Sequence, residues 1–328
     1  MARSSLGAGL DGVLVIAKAA GPTSHDIVAI MRRLAQTKRV GHGGTLDPFA
    51  AGVLPLFLGR ATRLAEYHLG ANKVYRATVC FGATSTTDDL EGEQTPSDAP
   101  APTQELVEAA LGAFRGPIRQ RPPDYSAIKV GGRRAYALAR AGETVELRER
   151  EVTIHDLSIV SWDDRDPTRP IAIVDVSCSA GTYIRSLARD LGQALGSGAY
   201  LGALTRTASG AFGADDATPL EELQAAAAEG PAGLTKYLKP MDAGLDELPR
   251  LVVDDEAVQE LARGRAVRVP ADERLDDPAA PDPAAGAALP IRVVDARGRL
   301  VALARWRGER LAPDKVFVDP ESAPIPVA

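Results

Sequence analysis

The chain has 328 residues, 45% of them hydrophobic and 25% charged. It exceeds the roughly 250–300 residues at which a single core stops growing, so two domains are expected, and the composition excludes disorder as the main state. A net charge of -6, taken globally, speaks against a nucleic-acid partner, because such binding relies on Lys and Arg meeting phosphates. From the N-terminus, residues 12–16 read as a short buried strand ended by the Gly21-Pro22 turn. A helix follows with Thr23 or Ser24 as N-cap. Ile27, Val28, Ile30, Met31 and Leu34 repeat at helical spacing, and Arg32, Arg33, Lys38 and Arg39 trail as a basic tail. Next come a glycine-rich turn over 41–48 and a second apolar run over 50–58. Residues 73–81 alternate as a strand with Tyr75, Ala77, Val79 and Phe81 on one side, and residues 84–102, polar and acidic with prolines, read as loop.

A helix is expected over 103–114, followed by an arginine-rich segment, 115–150, too polar to be core. Residues 171–178 read as a strand, Ser179-Ala180-Gly181 as a turn, and Ile184, Leu187, Ala188 and Leu191 mark a helix; residues 220–230 are also expected to be helical. The boundary falls near 245–249 and divides the chain into domains of 1–245 and 246–328. Beyond it, short strands at 266–269, 291–294, 300–306 and 316–318 surround a low-complexity insert at 276–288. That pattern suggests a small β-barrel-like domain with one hairpin turned at Arg297-Gly298. No run approaches the roughly 18 apolar residues of a membrane span, and residues 1–12 lack the charged and apolar halves of a signal peptide, so a cytoplasmic location is expected.

The two cysteines, Cys80 and Cys178, sit in apolar runs without a CxxC, and no two of His25, His42, His68 and His155 have the spacing of a helical metal pair. Neither a zinc site nor a disulfide framework is expected. Charge is unevenly spread: residues 1–90 and 110–150 together carry +9, whereas 211–290 carry -10. A basic half beside an acidic block can still hold a polyanion, since potential decays within about 8 Å in physiological salt. Asp47 stands out chemically. It follows glycines that let a ligand approach the backbone and precedes Pro48; the same spacing also suits an ordinary helix N-cap.

The segment Gly41-His42-Gly43-Gly44-Thr45-Leu46-Asp47-Pro48-Phe49-Ala50-Ala51-Gly52-Val53-Leu54 resembles the motif of the bacterial TruB-type tRNA pseudouridine-55 synthase family. Four more segments match in order: Lys18-Ala19-Ala20-Gly21-Pro22-Thr23-Ser24, Lys73-Val74-Tyr75, Pro122-Pro123-Asp124-Tyr125-Ser126-Ala127-Ile128-Lys129, and Gly181-Thr182-Tyr183-Ile184-Arg185-Ser186-Leu187. Ala19 replaces a usual proline and Gly43 a more usual Thr or Ala. Residues from about 250 to 318 resemble the family's PUA RNA-binding domain more weakly.

The resemblance implies an α+β fold, with a mixed, mainly antiparallel central sheet flanked by helices and a PUA-like barrel at the C-terminus. It also implies an isomerase that needs no cofactor or metal: the N1–C1′ bond of the T-loop uridine of tRNA breaks, and the uracil is rejoined through C5. The family's nucleophilic aspartate matches Asp47, the arginine that holds it Arg185, and the tyrosine that stacks on the base Tyr75. His42 matches the residue that fills the space left by the flipped nucleotide. Tyr183 and Leu204 match pocket walls, Lys18 a backbone or site contact, and Gly44 belongs to the substrate-binding loop. For Tyr183 and Arg185 to face the same side, the chain must stay extended to about Arg185. Residues 115–150 resemble an RNA-gripping insertion in which Arg119, Arg121, Lys129, Arg133, Arg134 and Arg140 meet phosphates. The partner implied is the T-arm of tRNA, bound by a monomer without a protein partner or membrane. Two alternatives carry the same features: a non-catalytic tRNA-binding or folding protein, and an N-glycoside hydrolase that releases uracil.

Overall fold

The period-two pattern of residues 73–81 becomes a strand whose Lys73, Tyr75, Ala77, Val79 and Phe81 sides are buried. The computed structural model describes residues 9–126, 129–130, 133–134, 147–269 and 289–322. In chain order the strands of the first part are β1 (Gly12–Lys18), β2 (Val40–His42), β3 (Ala51–Leu58), β4 (Lys73–Phe81), β5 (Ala83–Ser85), β6 (Gln94–Pro96), β7 (Gly116–Gln120), β8 (Lys129–Val130), β9 (Arg133–Arg134), β10 (Arg150–Asp163), β11 (Ile171–Cys178), β12 (Ala199–Ser209), β13 (Phe212–Gly213) and β14 (Thr218–Pro219). The helices are α1 (Ser24–Leu34), α2 (Ala65–Leu69), α3 (Gln104–Leu111), α4 (Ile184–Ala194) and α5 (Leu220–Ala226).

A 10-stranded sheet runs β14-β1-β3-β12-β4-β11-β10-β7, with β2 paired to β3 and β13 to β12. Only β1/β14 and β3/β12 are parallel, so the sheet is mixed and mainly antiparallel, as expected. Thr23 caps α1 in a capping box with Asp26. Ile27, Val28 and Met31 bury its apolar face in a core shared with Leu54, Leu56, Ala77 and Leu204.

Three differences from the sequence reading have physical causes. Strands β10 and β12 escape a period-two search because each is interrupted by register shifts, at 154/156 and 159/161 in one and at 201/203 and 206/208 in the other. A bulge flips the inward phase of the side chains and hides the alternation. The segment read as loop over 84–102 holds the β5/β6 hairpin. Within the polar 115–150 segment, β7 joins the main sheet and Gln120 is fully buried.

A second sheet, of 5 strands, runs β15-β17-β18-β19-β16, formed by β15 (Arg250–Val252), β16 (Val267–Arg268), β17 (Ile291–Val294), β18 (Leu300–Arg307) and β19 (Arg310–Val316), with α6 (Asp255–Ala262) packed on it. The β17/β18 hairpin turns through Gly298, as the sequence suggested. The last strand lies at Arg310–Val316 rather than 316–318, and the insert at 276–288 lies outside the described residues. The sheet docks on the first part through Leu64, Leu245 and Leu248 against Val294, Leu300, Leu303 and Phe317. Around this seam Arg60 and Arg63 donate to the carbonyls of Phe317 (2.7 Å) and Val316 (2.6 Å), and Lys315 donates to that of Arg63 (2.6 Å).

Candidate active site

Asp47 lies on the loop between β2 and β3, and no helix follows it. Ala50 N–H donates to its carbonyl (3.1 Å) in a turn that leads into β3, which removes the helix N-cap reading. Three pieces of chain hold this loop. From β1, Lys18 Nζ donates to the carbonyls of Asp47 (3.2 Å), Pro48 (3.1 Å) and Ala50 (2.6 Å). From the turn before α1, Gly21 N–H donates to Pro48 O (2.8 Å), and at the first residue of α1 Ser24 Oγ donates to Leu46 O (3.1 Å) while accepting from Leu46 N (2.9 Å). From β12, Arg206 donates to the carbonyls of Val53 (2.8 Å), Gly44 (3.1 Å) and Thr45 (3.4 Å). Close approach of β12 to β3 at this point requires Gly52, whose φ is +108° and whose added Cβ would lie 2.1 Å from the Arg206 carbonyl.

The Asp47 carboxylate meets the guanidinium of Arg185 from the start of α4, Nε to Oδ2 at 3.0 Å and Nη2 to Oδ1 at 3.3 Å. Arg185 is itself enclosed. Its Nη1 pairs with Asp89 (3.2 Å) and donates to Thr87 O (3.2 Å), and its Nη2 donates to Tyr125 O (2.9 Å). The buried guanidinium thus sits between two carboxylates and cannot swing away from Asp47. Burial raises the Asp47 pKa above the ordinary carboxylate value; Arg185 opposes that shift, and the charge of Asp89 adds to it.

A cavity of about 290 Å³ opens over this pair, and Tyr75, Tyr183, Leu204 and Gly44 line it with Lys73, Arg150 and Arg206. Tyr75 is buried beside Arg206, and burial raises its phenol pKa despite that arginine. The Tyr183 backbone is fixed by Gln120, whose amide accepts from its N–H (2.8 Å) and donates to its carbonyl (3.0 Å). The chain does not stay extended to Arg185: α4 begins at Ile184 with Tyr183 as its extended N-cap. Both side chains still face the cavity, because only Tyr183 has left the helical path.

Two other expected residues do not line the cavity. Lys18 is 2% exposed, with its ammonium taken up by carbonyls, and burial lowers its pKa to about 8. It holds the loop from beneath and is not among the cavity-lining residues. His42 stands beside the cavity, its Nδ1 accepting from Gly44 N–H (3.3 Å) and its ring edge-on to His25 at 5.4 Å. Burial, with the nearby His25 and Arg206, lowers its pKa to about 4, so it is neutral at pH 7. In the insertion, Arg119 pairs with Glu149 (3.3 Å) and Arg121 with Asp124 (2.7 Å), and Arg133 is exposed. Arg140 and the side chains of Lys129 and Arg134 lie outside what is described. A larger hollow of about 660 Å³ between β7 and α4, lined by Phe114, Arg119, Glu149, Arg189 and Asp190, includes none of Asp47, Tyr75 and Arg185.

Sequence reasoning missed Asp89, Gln120 and Arg206. Arg206 has a signal in hindsight, as a lone cation two residues after Leu204 in a strand. Asp89 has none, since acids are the norm in its segment. Among the described residues, no group of three or more His, Cys, Asp or Glu is placed to hold a metal ion, and no helix is long and apolar enough to cross a membrane.

Residues 32–184 match the family model for the N-terminal domain of TruB family pseudouridylate synthases, and residues 185–246 match that for the tRNA pseudouridylate synthase B C-terminal domain. A Symbiobacterium thermophilum protein named tRNA pseudouridine synthase B is 48% identical over 261 residues, spanning 79% of this chain and 84% of its own. One of the same name from Bradyrhizobium diazoefficiens is 41% identical over 309 residues, 93% of this chain and 85% of its own. A solved structure described as an H/ACA RNP bound to a substrate RNA containing 2′-deoxyuridine superposes with a TM-score of 0.69 at 25% identity, covering 95% of this chain and 87% of that one.

Proposed function

The chain belongs to the TruB family of pseudouridylate synthases, and on that premise we propose that this tRNA pseudouridine synthase isomerises the T-loop uridine, position 55, with Asp47 as nucleophile. The observation that carries the reading is the Asp47 carboxylate, locked on Arg185 at 3.0 Å at the floor of a cavity walled by Tyr75, Tyr183 and Leu204. A uridine reaches such a floor only when turned out of the RNA, and the walls supply apolar and aromatic faces for its ring. Asp47 attacks the ribose or the base, the N1–C1′ bond breaks, the uracil turns, a C5–C1′ bond forms, and the bond to Asp47 is released so that the carboxylate is regenerated. The proton lost from C5 balances the one gained at N1, so no atom enters or leaves. Burial raises the proton affinity of Asp47, which strengthens it as a nucleophile once ionised, while Arg185 favours the ionised form. Tyr75 keeps its proton at neutral pH and serves first as a ring platform, its oxygen beside Arg206.

In this reading Lys18 and Arg206 support the loop, and His42 stands ready at its edge to fill the vacated stack. Residues 1–245 form the catalytic unit, and 246–328 a PUA-like unit that adds tRNA contacts. The protein acts as a monomer in the cytoplasm without a protein partner. The test is incubation with an unmodified tRNA transcript. A mass-neutral isomer at a single T-loop uridine supports the reading. Released uracil would make the protein a hydrolase, and binding without change would make it a tRNA-folding protein.

A further inference from the structure

The cavity holds four cations, and three of them are already engaged. Arg185 lies between Asp47 and Asp89, Lys73 Nζ is taken by the carbonyls of Leu69 (2.8 Å) and Ala71 (2.6 Å), and Arg206 is taken by those of Gly44, Thr45 and Val53. Arg150 differs. It is the first residue of β10, and among the described residues its Nη2 donates only to the Gly181 carbonyl and its buried Nε has no partner. It forms no ion pair with an acid among the described residues.

Its guanidinium is nevertheless held. It lies over the Tyr183 ring, 4.5 Å from the centroid, and against the Gly181 backbone, where an added Cβ would stand 3.7 Å from the guanidinium carbon. Gly181 has a φ of +83°, a turn conformation that brings its carbonyl to Nη2 and that L side chains rarely adopt. A planar cation sandwiched in this way loses little freedom on binding an anion, and its fork suits a phosphate better than an ammonium does.

We propose that Arg150 binds a phosphodiester next to the flipped uridine, so that the mouth of the cavity recognises the RNA backbone while its floor handles the base. This rests on the proposed base-flipping reading. Turning a nucleotide out of the stack draws its flanking phosphates toward the rim, where the guanidinium of Arg150, with one carbonyl as its hydrogen-bond acceptor among the described residues, waits on the ring of Tyr183. Contact with the phosphate gives the guanidinium its missing anion and holds Tyr183 against the incoming base.

The test uses stem-loop RNAs with a neutral methylphosphonate linkage 5′ or 3′ to the target uridine, measured for Kd and single-turnover rate with wild type, Arg150→Gln and Arg150→Lys. Wild type is expected to lose about tenfold in Kd with one of the two linkages. Arg150→Gln is expected to lose about as much with natural RNA and little more with that linkage, and its salt slope falls by roughly 0.7 for a single-strand contact. Arg150→Lys keeps the slope but turns over more slowly. If the Arg150→Gln and linkage penalties multiply independently at both positions, the proposal is overturned. The two readings fail differently, because a wild type that leaves every stem-loop uridine unchanged defeats the base-flipping reading, whatever Arg150 does.

Discussion

Two regions of the molecule use the same device at different depths. Under the Asp47 loop, Lys18 and Arg206 are buried and their cationic heads are consumed by backbone carbonyls. At the seam between the two sheets, Arg60, Arg63 and Lys315 also donate to carbonyls, but near solvent, with Lys315 paired to the exposed Glu66 as well. A buried cation must recover its lost hydration from every bond it makes, so its partners are fixed in place. At the surface, water replaces a lost partner at little cost. The first arrangement sets geometry, whereas the second adds to a seam already held by Phe317 and its apolar neighbours.

The sharpest test of this contrast is Asp47→Asn, which removes the group the loop exists to place. Single-turnover conversion is expected to fall by at least about 10³-fold, with tRNA affinity within about tenfold of wild type. The same variant should melt no lower than wild type at pH 7. Asp47 has a raised folded-state pKa, so its ionisation destabilises the fold once pH exceeds the unfolded value, and an uncharged amide escapes that penalty. Wild-type turnover should decline on the acid side as Asp47 is protonated, at a pH above the ordinary carboxylate range. An acid limb at or below that range would break the assignment.

Arg206→Leu comes next. It strips partners from two loop carbonyls and one in β3, and a loss of roughly 3–5 kcal/mol in chemical denaturation is expected, with turnover falling alongside. Lys18→Met should cost less, roughly 1–3 kcal/mol, because the burial that lowers the lysine pKa to about 8 already opposes its charge. If either variant stayed both stable and fully active, the loop would not depend on its buried cations. At the seam, Lys315→Ala is expected to change stability by under about 1 kcal/mol and leave turnover unchanged.

Acid should reach the region behind the loop by another route. His68 is buried between Phe57 and Phe212, and burial lowers its pKa to about 4. Its stabilising effect is complete above the unfolded pKa near 6.5 and is lost as pH falls toward 4. His68→Phe should flatten that part of the melting profile.

Much of the candidate site was legible because its residues sit in short contiguous motifs that resemble the family's: the glycine-rich loop that carries Asp47, the segment that carries Tyr75, and the strand-turn-helix segment that carries Tyr183 and Arg185. Gln120 and Asp89 were not, since neither belongs to a periodic run. Their roles come from contacts across 63 and 96 residues of chain, with Tyr183 and Arg185. Lys18 was legible as important but not as buried, because a charged residue ending an apolar strand reads equally well as a solvent-facing one.

The sequence by itself determined strands such as β4 and β11 and the capped start of α1, since side-chain period and capping chemistry act within a few residues, and its resemblance to family motifs named the candidate site residues. Tertiary structure alone decided which cations line the cavity and which are spent on carbonyls. It did so because the desolvation of a charge depends on everything packed around it, and the register shifts of β12 on either side of Arg206 leave no period in the chain.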